Sequence, residues 1–252
     1  LIELSGLILV ILLGFLYGML TPNYLSLPSK GFLGVLQGSA LIFFAYVGFE
    51  LMATTSEETL RASVIVPRAI LAALLVCGSV YLLVALAVVK LLTWEELALS
   101  GAPLATAVER IMGSWGWYIL AFIALFATSN TVLGFLVSSS RMAYGIAADG
   151  MLHPKLSKVH YRRGTPHYAV MIAGLVAILE VVIAGITSMQ IIDIVAKSSN
   201  LGCLIAFIFV NSSVAILRLK KRNMKRPFKI PGELFGVPIL PLLGCAMCLL
   251  II

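Results

Sequence analysis

A chain of 252 residues that is 61% hydrophobic and only 12% charged, with a mean hydropathy of +1.07, is too apolar for a soluble domain of average make-up. Its net charge of +7 would suit nucleic acid if the basic residues formed a groove with interleaved aromatics, but they are confined to short connections between apolar runs. That pattern excludes a nucleic-acid binder and points to a polytopic membrane protein.

Crossing a bilayer takes about 20 apolar residues, and about seven such spans can be laid along the chain. The first, about 1–20, carries Glu3 near its start and has Gly14 and Gly18 at a spacing that admits a neighbouring helix. The chain opens on Leu1 inside an apolar run and closes in another at Ile252, so it reads as a fragment.

The second span, about 33–56, breaks two local rules in its middle, Phe43-Phe44-Ala45-Tyr46-Val47-Gly48-Phe49-Glu50. A glycine costs a helix interior about 1 kcal/mol and an acid at the membrane centre about 2.5–3.5 kcal/mol. Coincident violations are expected where function sits. A glycine that lets another helix approach, beside a glutamate paired inside the bundle, would account for them equally.

The third span, about 67–92, opens on Pro67 as a first-turn proline. In the polar connection 93–112, Leu104, Val108 and Ile111 recur at helical spacing and predict one short amphipathic helix on the surface. The fourth span, about 115–148, exceeds the bilayer and enters through an interfacial belt of Trp115, Trp117 and Tyr118. After a basic loop, Thr165 and Pro166 supply an N-cap and a first-turn proline for the fifth span, about 167–186. The sixth, about 191–217, holds Asp193 and Lys197 four residues apart, where they can pair. A strongly basic link and a proline-rich stretch lead to the seventh, about 236–252.

Counting basic residues in alternate connections orients the spans. One side collects fourteen: Arg61, Arg68, Arg141, Lys155, Lys158, Arg162, Arg163, Arg218, Lys220, Lys221, Arg222, Lys225, Arg226 and Lys229. The other has Lys30, Lys90 and Arg110. This is a positive-inside pattern, so the first span runs outward and the interrupted second runs inward. Topology and contact with lipid headgroups account for the basic runs.

Candidate chemistry is sparse. The three histidines, His153, His160 and His167, fall in or beside one connection, without a nucleophile or acid at helical spacing in a span, so an enzyme has little support. The four cysteines, Cys77, Cys203, Cys245 and Cys248, lie in apolar spans without the neighbours that a zinc site needs. No metal or other cofactor is expected. Glu180 has no sequence-local partner, and Glu3 and Glu50 remain as candidates for ion or proton work. If the second span unwinds around Val47 and Gly48, the carbonyls of Phe44, Ala45 and Val47 end its outer half, where the helix dipole is negative and an ammonium group is favoured. Phe43, Phe44, Tyr46 and Phe49 would then wall a cavity, whereas in an unbroken helix they simply pack, as most aromatics in membrane spans do.

In order along the chain, Phe43 to Glu50, Glu57-Glu58, Pro67-Arg68-Ala69-Ile70, Ala127-Thr128-Ser129-Asn130-Thr131, Ser140-Arg141-Met142-Ala143-Tyr144, Asp149-Gly150, Thr165-Pro166 and Arg226-Pro227-Phe228-Lys229-Ile230-Pro231 resemble the amino acid/polyamine/organocation (APC) permeases. The resemblance implies an all-α, inverted-repeat transporter fold of the leucine-transporter type, of which this chain would be helices five to eleven. It makes the interrupted span the family's sixth helix, with Phe44, Ala45 and Val47 holding the substrate amino group and Gly48, Phe49 and Glu50 lining the same pocket. Where many relatives carry a second glycine, this chain has Val47. Glu3 falls near the fifth-helix position at which some proton-coupled relatives place a lysine in lieu of a sodium ion. The helix that binds the substrate carboxylate would precede Leu1. The implied function is secondary active transport of an amino acid or related amine by alternating access, coupled to a proton or sodium ion, in the plasma membrane. A non-transporting membrane subunit or amino-acid sensor on the same helices is the alternative.

Overall fold

In lipid, backbone polar groups must be satisfied within the protein, which leaves helix as the local solution for long apolar runs. The computed structural model bears this out over residues 2–20, 31–49, 51–54, 56, 59–187, 190–221, 224, 226–230, 232–234 and 236–252, the residues described below. The helices are α1 (Ile2–Tyr17), α2 (Gly31–Ile42), α3 (Leu51–Thr54), α4 (Ala62–Leu91), α5 (Trp94–Leu99), α6 (Pro103–Met112), α7 (Ser114–Ala148), α8 (His167–Thr187), α9 (Gln190–Lys220) and α10 (Ile239–Ile251). A small antiparallel hairpin pairs β1 (Glu233–Leu234) with β2 (Val237–Pro238). The architecture is that of an all-α polytopic membrane protein.

Among the described residues four helices are long and apolar enough to cross a membrane: Ala62–Leu91, Ser114–Ala148, and the segments His167–Ile186 of α8 and Lys197–Lys220 of α9. Only 6% of the apolar window of each of the last three is buried within the protein, so these surfaces require lipid or further helices around them. Helices α1 and α10 are apolar but shorter, at 16 and 13 residues. Tertiary contacts cluster into two compact units, Leu1–Ser26 with Ala69–Ser138, and Leu27–Arg68 with Ser139–Ile252.

In the first unit α1 crosses α4 at glycine. A Cβ at Gly14 would lie 2.5 Å from both the Cβ and the carbonyl oxygen of Ala87, and the amide of Leu20 donates to the carbonyl of Lys90 at 3.1 Å. Gly14 thus makes the close approach that its spacing predicts. The core around this crossing contains Val10, Leu13, Val88, Leu91, Leu92 and Leu120.

The connection after α4 departs from the expected single surface helix. Pro103 disfavours helical geometry at the residue before it, and Ala102 has φ −143° and ψ 68°, so the segment splits into α5 and α6. Ala105, Ala107 and Val108 of α6 are buried in the same core as Val10 and Leu13. The amphipathic face packs against protein rather than lying on the surface.

Thr93 opens α5 with a capping box: its Oγ1 accepts from the amide of Glu96 at 3.3 Å, and its own amide donates to Glu96 Oε2 at 2.8 Å. Arg110 Nη1 of α6 donates to both Glu96 oxygens, at 2.9 and 2.8 Å. The backbone bond from Thr93, then the Arg110 guanidinium, hold the exposed Glu96 carboxyl below its ordinary range.

Pro67 is not at a first turn. Helix α4 starts at Ala62, out of a left-handed Arg61 (φ 53°) whose carbonyl accepts from the amides of Val64 and Ile65. The ring of Pro67 removes one bond close to the helix start, a loss the long apolar helix tolerates. The fifth span also opens a residue later than its cap signal suggests, since the carbonyl of Pro166 accepts from Val170 at 3.0 Å and so occupies the N-cap place.

In the second unit α9 and α10 pack closely. A Cβ at Gly244 would lie 3.0 Å from Asn211 Nδ2, which itself donates to the carbonyl of Phe207 at 2.9 Å. The link between these helices is folded: Arg218 pairs with Glu233 at 2.6 Å, and Arg226 Nη2 donates to the carbonyls of Leu217 and Lys221 at 3.2 and 2.8 Å. Arg226 therefore caps the last turn of α9. The seventh span becomes helical only at Ile239 because β2 occupies Val237–Pro238.

Gly14→Leu should destabilise the protein by about 1–3 kcal/mol through overpacking against Ala87. Gly145→Ala, where a Cβ meets nothing within 4 Å, should be neutral or stabilising, and unfolding in detergent measures both. Because the pKa of Glu96 is lowered on folding, its contribution is present above the unfolded carboxylate range and is lost as pH falls through the folded value. Hydrogen exchange in 93–112, corrected for intrinsic rates, should therefore accelerate on acidification, and Glu96→Gln should remove that pH dependence.

Candidate functional site

The segment expected to form the second span is interrupted where its sequence breaks the local rules. Helix α2 ends at Ile42, Phe43–Tyr46 tighten into a 3-10 turn, residues 47–49 form a turn, and α3 resumes at Leu51. Gly48 has φ +127°, a conformation that side-chain-bearing residues rarely adopt. The amides of Leu51 and Met52 donate to the carbonyls of Gly48 and Phe49 at 3.1 and 3.2 Å, which restarts the chain beyond the break.

A Cβ built at Gly48 meets nothing within 4 Å in this chain. Among the described residues, the positive φ rather than a close-packed helix calls for glycine here.

Aromatic rings flank the break. Tyr46 and Phe49, both half-buried, face each other across the turn with centroids 6.2 Å apart. Phe43 does not simply wall a cavity, because its ring meets Phe207 of α9 edge-on, centroids 6.1 Å apart and planes at 81°. This contact fixes the start of the irregular segment to the longer helix. Ala45 is exposed and Val47 half-buried. The side chain of Phe44, all of Glu50, and Glu57 and Glu58 lie outside the described residues.

Chemically, α2 and its 3-10 turn run their negative dipole end into the break. A carbonyl has two lone pairs, so one already in a backbone bond can still accept from a ligand. A helix end of this kind tolerates a cation. Glu3 belongs to the first unit, half-buried in the first turn of α1. Glu180 is exposed on α8, and the side chain of Asp193 is outside the described residues, so its expected pair with Lys197 is not placed.

The histidines serve their own connection. Nδ1 of His153 and of His160 accept from the amides of Lys155 and Arg162, each at 3.2 Å, and the His160 ring meets His167 edge-on with centroids 5.5 Å apart. Among the described residues no group of three or more His, Cys, Asp or Glu gathers as a metal site would need. Among the described residues Ser138 and Ser140 of α7 are buried polar side chains, 4% and 2% exposed, to which the sequence assigned no role although Ser140 opens one of its motifs. A serine run within an apolar span was their available signal.

Residues 12–252 match the family model described as amino acid permease. The chain belongs to this family. It is 30% identical over 230 residues to the branched-chain amino acid permease BcaP of Bacillus subtilis, covering 91% of this chain and 47% of that protein. It is 28% identical over 250 residues to the methylthioribose transporter of Bacillus subtilis, covering 99% and 51%. With cationic amino acid transporter 4 of Mus musculus it shares 30% over 228 residues, covering 88% and 34%. The chain thus spans between a third and a half of these relatives' lengths. Membership agrees with the resemblance carried by the sequence motifs, and the relatives named are transporters.

Proposed function

We propose that the amino acid permease of which this chain is part carries an amino acid or related amine across the plasma membrane by alternating access, with its basic connections in the cytoplasm. The observation that carries this reading is the interruption at Gly48, where a positive-φ glycine breaks the helix of a segment expected to cross the membrane. Irregular backbone at this depth is tolerated where it is buried in protein or lines a cavity, as in secondary transporters. The substrate ammonium is assigned to the carbonyls of Phe44, Ala45 and Val47, with Gly48, Phe49 and Glu50 beside it. The relatives' names cover branched-chain amino acids, cationic amino acids and methylthioribose, so the side chain accepted is a property of each protein.

The test is uptake by the intact permease with substitutions at the break. Gly48→Ala and Gly48→Leu should each lower initial uptake about tenfold or more, because strain of about 1–3 kcal/mol is imposed on the binding geometry. Surface expression should be unchanged. Normal uptake in correctly inserted Gly48→Leu would remove the break from the mechanism and favour the sensor reading.

Glu3 is proposed as the proton-coupling group, on the ground that it is a half-buried acid in a membrane helix. With Glu3→Gln, stimulation of uptake by an inward proton gradient should disappear while exchange of internal for external substrate continues. Unaltered gradient stimulation in that variant would show the proton path to run elsewhere.

A further inference from the structure

The connection 149–166 joins α7 to α8, both of which contain membrane-crossing segments, so it is tied at both ends to one face of the bilayer. It is not a slack tether. The 3-10 turn Pro154–Ser157 packs against α8. The following segment closes on itself: the amide of His160 donates to the carbonyl of Thr165 at 2.8 Å, the amide of Gly164 donates to the carbonyl of His160 at 2.9 Å, and Gly164 has φ +61°. The His160 ring accepts from the Arg162 amide and rests on His167.

These bonds close the base and brace the Arg162 amide from beneath, and they use none of the side chains of the tip Tyr161-Arg162-Arg163. Tyr161 is 98% exposed, and both arginines are exposed beside it. Lys155 and Lys158 add exposed positive charge on the same connection, against one acid, Asp149. An aromatic ring with two guanidinium groups is the chemistry of an interfacial anchor, since the ring seats at headgroup depth while arginine pairs bidentately with phosphate.

We propose that the Tyr161–Arg163 tip is a binding site for anionic phospholipid headgroups in the leaflet on its side of the membrane. The occupant is lipid because α8 begins at His167, four residues after Arg163, and because four basic residues face one acid on the connection. Closing the loop beforehand means that little ordering is lost when a headgroup is engaged. This assignment is independent of the transport reading and does not use the break at Gly48.

The experiment places the intact permease in nanodiscs of phosphatidylcholine containing phosphatidylglycerol and counts the anionic lipids it retains by native mass spectrometry. The triple variant Tyr161→Ala, Arg162→Gln, Arg163→Gln should lower apparent affinity for phosphatidylglycerol by about 10- to 30-fold, with thermal unfolding unchanged because the base bonds are untouched. Lys220→Gln with Lys221→Gln, exposed charges on a different connection, should leave most of that retention in place. Equal retention by the triple variant and the unmodified protein would overturn the proposal. So would an equal loss with the Lys220 and Lys221 pair, which would mean diffuse surface charge rather than a site. Displacement of the lipid by inorganic phosphate in solution would also overturn it, since the tip would then be a free-anion site.

Discussion

The constraint on which the structure depends is that the membrane supplies no hydrogen bonds. A long apolar run must close its own backbone ladder, and the spans of α4, α7, α8 and α9 do so as continuous helices. The interrupted second span is the exception that needs support, and the structure supplies some of it. The 3-10 turn keeps part of the bonding local, Phe43 locks onto Phe207, and the carbonyls of Gly48 and Phe49 receive the amides that restart the helix. What is left is a short irregular backbone whose shape is dictated by one glycine.

How glycine acts differs between the two units, and the difference carries functional information. Gly14 of α1 is a spacer: its missing Cβ is filled by Ala87 of α4, and the residue holds two helices together. Gly244 of α10 is similar, facing Asn211 of α9. Gly48 has open space where its side chain would be and a positive φ instead. In the sequence the three look alike, since each is a glycine in an apolar run. Only the structure separates the spacer, which lets two helices touch, from the glycine whose positive φ a side chain would strain.

Much of the fold was legible because membrane spans announce themselves by length and apolarity, and family membership agrees with what ordered motifs implied. The failures were at boundaries, where local chemistry competes with hydropathy. Pro67 looked like a helix start but is overridden by apolar residues on both sides. Pro103 did cut a helix, because a short polar segment gains too little from continuity to resist it. The capping box Thr93-Trp94-Glu95-Glu96 was readable as an N-terminus signature and would have located α5. For the candidate site, Gly48 was visible as a broken rule, whereas the edge-on contact of Phe43 with Phe207 joins residues far apart in sequence and leaves no periodic trace.

The basic residues show a further limit of counting. On sequence, fourteen cations on one side are interchangeable topology signals. In the structure they separate by chemistry. Arg226 gathers carbonyls at the end of α9, a use that needs several directed donors on a planar group, and Arg218 pairs with Glu233. Lys155, Lys158, Lys220 and Lys221 remain exposed as point charges. Arginines 162 and 163 share the exposure of the lysines yet retain the fork that suits phosphate, on a turn whose backbone bonds are already made. Charge alone orients a membrane protein, but the geometry that presents the charge separates a helix cap from a topology signal and both from a surface fitted to a headgroup.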